Sequence, residues 1–335
     1  MKRKKWILLV CLAILQGCAQ APLQKPVAGE AFAQETQPAE PLPEEGVIPS
    51  ETSKITSTAA PSSPDPAQIS ESPITPPEQI TESLAITDLP AYTHPPFISA
   101  SELDTSGLSN EKLGWYFIKN NEHLPSHGAA EIDISAYNGC YLGDTSQKYI
   151  WLTFNCGFEN GNTPLILDTL KEKNVPAAFF VLGTYIRDNP ELTKRMAEEG
   201  HLVVNHSDTH LSMPGISDQE ILDEIFGCAK RYKELTGMDM PPFFRPASGE
   251  YCERALYITK EAGYKTVFWS FAYLDWLVDE QPGKDYTFKI VMDNLHNGQI
   301  LMLHPVSTSN TEALPDIIDA VKAQGFEFRI LYDLP

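Results

Sequence analysis

Residues 149–173 read YIWLTFNCGFENGNTPLILDTLKEK, and this segment decides the fold. Its first six residues, 149–154, form a run of apolar and β-branched side chains, which is typical of a strand buried on both faces of a parallel sheet. Residues 163–173 show helical periodicity, and Pro164 stands at the start, where a helix tolerates proline. The segment therefore predicts a strand, a turn and a helix, the repeating unit of an α/β fold.

The same alternation continues to the end of the chain. We predict strands over residues 149–154, 177–182, 202–205, 243–244, 266–270, 300–303 and 326–331. We predict helices over residues 163–173, 190–199, 217–235, 253–262, 285–295 and 312–323. About seven parallel strands with intervening helices predict an α/β fold, either closed into a distorted (β/α) barrel or open and doubly wound.

Composition and charge exclude some classes of function. The chain has 335 residues, a formal net charge of −20 and 42% hydrophobic residues. A strongly acidic chain does not suit nucleic acid, which requires a basic surface. It also does not suit a general attraction to anionic lipid headgroups. No GxGxxG follows a predicted strand, so we do not expect a dinucleotide site.

The N-terminus predicts export from the cytoplasm. Lysines and arginine occupy positions 2–5, and an apolar run too short to span a bilayer follows over residues 6–15. The run ends in Leu15-Gln16-Gly17-Cys18, which resembles the lipobox of bacterial lipoproteins. We therefore predict a lipoprotein signal peptide over 1–17, lipid attachment at Cys18 and an extracytoplasmic, membrane-anchored protein. The alternative is an ordinary secretory signal and a soluble secreted protein.

Three further regions follow the predicted signal. Residues 18–95 are rich in Pro, Glu, Ser, Thr, Gln and Ala, a composition that cannot offset its ordering entropy, so we predict a disordered acidic tether. As a flexible coil it would reach about 50 Å. We predict that residues 96–148 pack as a lead-in on the α/β domain, for which Trp115 offers apolar surface. Residues 149–335 form the predicted α/β domain, and we expect a monomer.

Polar side chains follow five of the predicted strands at the point where each strand ends. They are Asn155 and Cys156 after the first strand, His206 and His210 after the third, Arg245 after the fourth, Asp275 and Trp276 after the fifth, and His304 after the sixth. In parallel α/β folds, functional groups gather at the carboxyl ends of the strands. The sequence therefore predicts one site at this rim.

Metal-ligand residue types come first in that set. His206 and His210 suit Zn²⁺ and similar divalent ions, although a lone histidine pair can also be structural. Cys156 is either a thiolate third ligand or an ordinary buried thiol. Together they predict a divalent metal site, with zinc as the predicted ion.

The remaining rim residues suit acid–base chemistry. His304 is the first polar group after an apolar strand, and histidine titrates near neutral pH, so it suits a general acid or base. Arg245 lies between Phe244 and Pro246, and a buried arginine requires a carboxylate or a ligand. Asp275 can orient a histidine, and Trp276 can stack on a sugar ring or belong to the core.

The order of these motifs resembles the polysaccharide deacetylase family, carbohydrate esterase family four. Within it, the sequence is most similar to the delta-lactam-biosynthetic de-N-acetylases, which act on muramic acid in peptidoglycan. The resemblance runs from about residue 149 to 334. The five motifs correspond to residues 153–157 (TFNCG for the family's T-F-D-D-G), 206–210 (HSDTH), 245–249 (RPASG), 269–276 and 301–304.

The resemblance implies hydrolysis of the N-acetyl amide of a hexosamine, with peptidoglycan as the expected partner. A metal at the two histidines would polarise the acetyl carbonyl, His304 would protonate the leaving amine, and Arg245 would orient the base. We assign Ser248, Gly249 and Trp276 to substrate binding on the same grounds.

Two departures from the first motif bear on activity. Asn155 stands where the family has its base; an amide is not a useful base at neutral pH, so the resemblance leaves Asn155 the catalytic role of orienting water. Cys156 stands where the family has an aspartate ligand. Glu159 is the first candidate for a replacement base and Asp208 the second. Three hypotheses remain open: an active deacetylase, a glycan-binding pseudoenzyme, and a metal-free wall-binding lipoprotein.

Overall fold

The computed structural model describes residues 92–120, 122–128 and 130–335. The predicted signal peptide, the lipid site at Cys18 and nearly all of the predicted tether lie outside these residues, so these expectations stay predictions. Within the described ranges, no helix is both long enough and apolar enough to cross a membrane.

The described chain alternates strands and helices. The strands are β1 (Leu113–Gly114), β2 (Phe117–Ile118), β3 (His127–Gly128), β4 (Gly139–Cys140), β5 (Tyr149–Cys156), β6 (Ala178–Val181), β7 (Leu202–Asn205), β8 (Phe243–Phe244), β9 (Glu250–Tyr251), β10 (Lys265–Val267), β11 (Gln299–Leu303) and β12 (Glu327–Phe328). The α-helices are α1 (Thr163–Lys173), α2 (Gly183–Asp188), α3 (Pro190–Glu198), α4 (Asp218–Thr236), α5 (Glu253–Glu261), α6 (Lys284–Asp293) and α7 (Thr308–Ala323).

The central sheet is parallel and curled. Its strands follow the order β11-β5-β6-β7-β8-β10-β4, and β12 pairs with the start of β5. Every neighbouring pair in this sheet is parallel. A parallel bridge between Phe271 and Leu301 joins the chain after β10 to β11, the strand at the opposite end of that order. The predicted α/β barrel of about seven parallel strands is therefore confirmed.

After β10 the backbone stops bonding to β4 and bonds to β11 instead. The strand predicted over residues 266–270 is therefore wrong in its bounds. The strand ends at Val267, and the amide of Phe268 still donates to Cys140 O. The amide of Ser270 instead donates to Ile300 O on β11. The last predicted strand, 326–331, is likewise only the two residues of β12, and the sequence did not predict β4 or α2.

Side chains of the sheet alternate between two buried layers. One face of β5 places Ile150, Leu152, Phe154 and Cys156 in a cluster with the apolar faces of α1 and α7. The opposite face belongs to a second cluster inside the curl of the sheet, whose members include Trp151, Phe180, Val204, Ile300 and Met302. Because successive strand residues point to opposite faces, adjacent residues at a strand end enter different surroundings.

Residues before β5 complete the inner cluster. Trp115 is buried and stacks on Phe268, with ring centroids 4.5 Å apart. Its Nε1 donates to Trp269 O at 2.9 Å, and its backbone amide donates to Gly249 O at 2.9 Å. Trp115 thus supports two of the segments that carry predicted site residues.

Candidate active site

Asn155 and Cys156 lie side by side on β5 but face opposite layers of the fold. Asn155 lies on the inner face, where its Oδ1 accepts a hydrogen bond from Arg245 Nη1 at 2.9 Å. Cys156 is fully buried in the helix-facing cluster. Burial, and next the nearby Glu159, raise the pKa of its thiol well above the ordinary value. The structure therefore presents Cys156 as a protonated core thiol.

Arg245 follows β8 and is fully buried. Its guanidinium donates to Val267 O, Phe268 O, Thr153 Oγ1 and Asn155 Oδ1, all of them uncharged acceptors. Within the described residues, no carboxylate forms an ion pair with it. Burial lowers its pKa to about 9, which still leaves the group charged at neutral pH. Of the two partners expected for a buried Arg245, a carboxylate or a ligand, the described residues supply no carboxylate, and the amide oxygen of Asn155 takes that place.

His206 and His210 lie together after β7, with ring centroids 5.1 Å apart. Nδ1 of His206 lies 2.8 Å from Arg245 O, which orients the ring. Burial and the neighbouring His210 hold the pKa of His206 well below its usual range. His210 is exposed, yet the surrounding protein and the nearby His304 also lower its pKa. Both rings are therefore neutral at pH 7, the form that binds metal ions.

Helix α4 fixes the loop that carries these two histidines. Glu224 is buried and accepts hydrogen bonds from the backbone amide of Thr209 at 2.8 Å and from its hydroxyl at 2.6 Å. Arg231 pairs with Asp208 through two hydrogen bonds, of 2.6 and 3.1 Å. The backbone of His210 is left-handed, with φ of 70°, and its amide donates to Ser207 Oγ at 3.0 Å. Nothing in the sequence distinguishes Glu224 from other polar residues of the predicted helix over residues 217–235.

His304 and Asp275 form a hydrogen-bonded couple at the same rim. Nδ1 of His304 lies 2.7 Å from Asp275 Oδ1, and the backbone amide of His304 donates to Oδ2 at 2.8 Å. Asp275 is buried, whereas the His304 side chain is 19% exposed and can reach a ligand. The Trp276 ring lies edge-on to His304, with centroids 5.5 Å apart, and is exposed. The structure thus places these three residues together, as the sequence indicated.

Both candidates for a replacement base are engaged in hydrogen bonds within the protein. Glu159 accepts hydrogen bonds from the amide of Gly161 and the hydroxyls of Thr163 and Tyr185, so its carboxylate holds the start of α1. Asp208 is bound to Arg231, as described above. Each carboxylate therefore serves a structural contact, and a role of either one as the base stays a prediction.

Ser248 and Gly249 form a tight turn after Arg245. Ser248 is exposed with φ of 54°, so it stays accessible to a ligand. Gly249 is buried, and a Cβ at this position would lie 2.8 Å from Cη2 of Trp269. Gly249 therefore allows close packing of the turn. Substrate contacts of Ser248 and Gly249 stay predictions.

The predicted metal site does not form as a set of three ligands. In the parts of the chain that the structure describes, no three His, Cys, Asp or Glu side chains come together as a metal-binding group. The reason is geometric: Cys156 faces the helices, and the inner-facing neighbour on β5 is the amide of Asn155. His206 and His210 supply two imidazoles, but a catalytic zinc site usually has three protein ligands. We assign no reaction step to a metal here.

The chain has a curled parallel sheet whose strand ends carry a histidine pair and an Asp–His couple. This arrangement places it among the α/β-barrel proteins with an active site at the carboxyl ends of the strands. Comparison with known proteins specifies the class further. The family model described as polysaccharide deacetylase matches residues 142–267. The peptidoglycan-N-acetylmuramic acid deacetylase PdaA of Bacillus subtilis is 38% identical over 239 residues, which cover 71% of this chain and 91% of PdaA. The chain belongs to the polysaccharide deacetylase family.

Solved structures agree with this assignment. The structure of Bacillus subtilis PdaA, described as a family 4 carbohydrate esterase, is similar with a TM-score of 0.66 and 39% identity, covering 68% of this chain and 98% of PdaA. A family pseudoenzyme from Bacillus anthracis is similar with a TM-score of 0.54 and 30% identity, covering 58% of this chain and 68% of its own. A mutant of that pseudoenzyme is described as having restored enzymatic activity.

Proposed function

We propose that this chain is a lipid-anchored, extracytoplasmic deacetylase that hydrolyses N-acetyl groups of peptidoglycan amino sugars. The Asp275–His304 couple beside the exposed Trp276 carries the proposal, because it offers an acid and an aromatic platform at one rim. The relatives named as peptidoglycan deacetylases support the substrate class. The lipobox-like sequence at Cys18 supports the anchor.

The couple prepares His304 to act as a general acid. Asp275 has no proton to donate when ionised, so the Nδ1 atom of His304 carries the hydrogen of their bond. The other ring nitrogen, Nε2, is then the atom that takes up a proton and delivers it to the leaving amine. The buried carboxylate stabilises the imidazolium that exists before this transfer. Trp276 can stack on the apolar face of a sugar ring next to His304.

Activation of water is the weak step in this site. The amide of Asn155 cannot take a proton from water, and Glu159 and Asp208 are held by structural contacts. Loss of one proton-transfer group typically costs about 10²–10⁴-fold in rate. We therefore propose slow turnover. A divalent metal ion at His206 and His210, with zinc as the predicted ion and Cys156 as its third ligand, stays a prediction without support from the side-chain geometry.

A second candidate function is binding of N-acetylated glycan without turnover. Asn155 favours this alternative. It stands at the position where the family resemblance implies the base, but its amide oxygen only accepts a hydrogen bond from Arg245. The same rim would then recognise the sugar through Trp276. A variant of this alternative is a lipoprotein that binds the cell wall and holds no metal ion.

Acetate release from purified peptidoglycan distinguishes the candidates. The full chain should release acetate slowly, and His304→Gln should abolish the release. Asn155→Asp should raise the rate by about 10²–10⁴-fold, because it adds a base beside Arg245. If wild type and Asn155→Asp both bind peptidoglycan but release none, deacetylation is wrong and glycan binding is the function.

Membrane attachment requires a separate experiment. In a bacterial host fed a radiolabelled fatty acid, the wild-type chain should carry label and sediment with membranes. Cys18→Ser should lose the label. A wild-type chain that is secreted without label would contradict the anchor and support an ordinary secretory signal.

A further inference from the structure

A chain of buried polar side chains continues behind the Asp275–His304 couple. Asn310 lies in the first turn of α7, and its Nδ2 donates to Asp275 Oδ2 at 2.6 Å and to His304 O at 3.2 Å. The hydroxyl of Tyr273 donates to Asn310 Oδ1 and lies 2.9 Å from Thr287 Oγ1. All four residues behind the His304 ring are buried. Tyr273 and Asp275 fall within the fourth sequence motif, whereas Thr287 and Asn310 lie outside all five motifs.

The direction of these hydrogen bonds is fixed by donor and acceptor chemistry. The Asp275 carboxylate and the His304 carbonyl only accept, so the NH₂ group of Asn310 must face them. Its Oδ1 atom then faces Tyr273, whose hydroxyl must donate to it. A hydroxyl that donates in this way can accept from Thr287, so every bond in the chain has one allowed direction. Turning the Asn310 amide around would place its oxygen against two buried acceptors.

This directed chain fixes the carboxylate that holds His304. Asp275 Oδ2 is occupied by Asn310 and by the backbone amide of His304, which leaves Oδ1 aimed at the Nδ1 atom of the ring. Asp275 lies in the segment after β10, His304 after β11 and Asn310 on α7. Asn310 therefore connects the two segments that carry the couple.

We propose that Asn310, oriented by Tyr273, is a positioning residue that keeps the proton of neutral His304 on Nδ1 and presents Nε2 to the substrate. Its effect on catalysis rests on the proposed function. Its effect on the His304 tautomer does not, since the tautomer is a property of the folded protein alone.

Nitrogen-15 NMR of the histidine-labelled full chain measures the tautomer, with the His304 signals assigned from a His304→Gln variant. Wild type should show the Nδ1–H form alone. Asn310→Asp places a second acceptor against Asp275 and should abolish this single form. Tyr273→Phe removes the donor that orients Asn310 and should give a mixture of tautomers. Asn294→Asp is the matched control, because Asn294 donates to Ile290 O at the end of α6 and should leave His304 unchanged.

Acetate release supplies the second readout. Asn310→Asp should lower kcat by about 10²-fold with KM unchanged, as expected when a reacting group is misplaced. The proposal is overturned if folded Asn310→Asp and folded Tyr273→Phe both keep the wild-type tautomer. If Asn310→Asp does not fold, Tyr273→Phe decides. If wild type releases no acetate, the proposed function fails, and the NMR spectra still decide the role of Asn310.

Discussion

Acidification should destabilise this fold through His201, a buried histidine at the start of β7. The ring is 2% exposed and packs edge-on to Phe179, with centroids 5.5 Å apart. Within the described residues, neither ring nitrogen has a hydrogen-bond partner. Its pKa is lowered from 6.5 to about 4, chiefly by burial. Two smaller effects act on the same pKa: the charge of Glu199 raises it and the charge of Arg195 lowers it. The folded protein therefore holds His201 neutral.

The magnitude follows from the two pKa values. In the unfolded chain His201 regains its ordinary pKa, so below pH 6.5 the unfolded state binds a proton that the folded state does not. The contribution of neutral His201 to the free energy of unfolding is therefore fully present above pH 6.5. It decreases as the pH drops towards 4 and stays constant below that pH. A difference of about 2.5 between the pKa values corresponds to about 3.4 kcal/mol, at about 1.36 kcal/mol for each pKa unit.

Urea unfolding between pH 7 and pH 4 tests this prediction. Other groups also titrate in this range, so the informative quantity is the difference between wild type and His201→Phe, whose ring fits the same apolar site and does not titrate. The unfolding free energy of His201→Phe should fall by about 3 kcal/mol less than that of wild type. His127→Gln, at an exposed position, is the control and should follow wild type. Parallel curves for wild type and His201→Phe would refute the reasoning.

Two further predictions concern the site. Asn155→Asp should raise the unfolding free energy at pH 7 by about 1–3 kcal/mol, because it gives the buried Arg245 a charged acceptor; unchanged urea midpoints would contradict this. Gly183→Ala should destabilise the protein by about 1–3 kcal/mol, since its Cβ would lie 1.8 Å from Asp208 Oδ1. Gly215→Ala, with nothing within 4 Å of the added carbon, should change stability by less than about 0.5 kcal/mol, and equal effects of the two changes would contradict the packing argument.

Local sequence patterns predicted several helices and strands correctly, because burial in the folded protein favours the same secondary structure as the local pattern. Helix α1 has the predicted bounds, Thr163–Lys173, since its proline lies in the first turn and Asn174 ends it in the left-handed conformation. Strand β7 also has its predicted bounds, because a short apolar run has one way to be buried. The segment after β10 was predicted wrongly, because its exchange of partners depends on β11, where the Ser270 amide bonds to Ile300 O, 30 residues later.

The candidate site was predicted less completely for a physical reason. Sequence position brings Asn155 and Cys156 to the same strand end, but the alternation of strand side chains sends them to opposite faces. That signal was present in the sequence. So was the position of Glu159 just before a helix start, where a carboxylate commonly accepts backbone hydrogen bonds. Asn310 carried no such signal, because its role depends on contacts between separate segments.

The central claim is that this rim removes acetyl groups from peptidoglycan with His304 as the acid. Mass spectrometry of peptidoglycan fragments after incubation with the full chain tests it most directly, because it identifies both the reaction and the sugar. Wild type should produce fragments that lack one acetyl group on an amino sugar, and His304→Gln should produce none. Fully acetylated fragments after wild type and Asn155→Asp alike, or equal deacetylation by His304→Gln, would contradict the account.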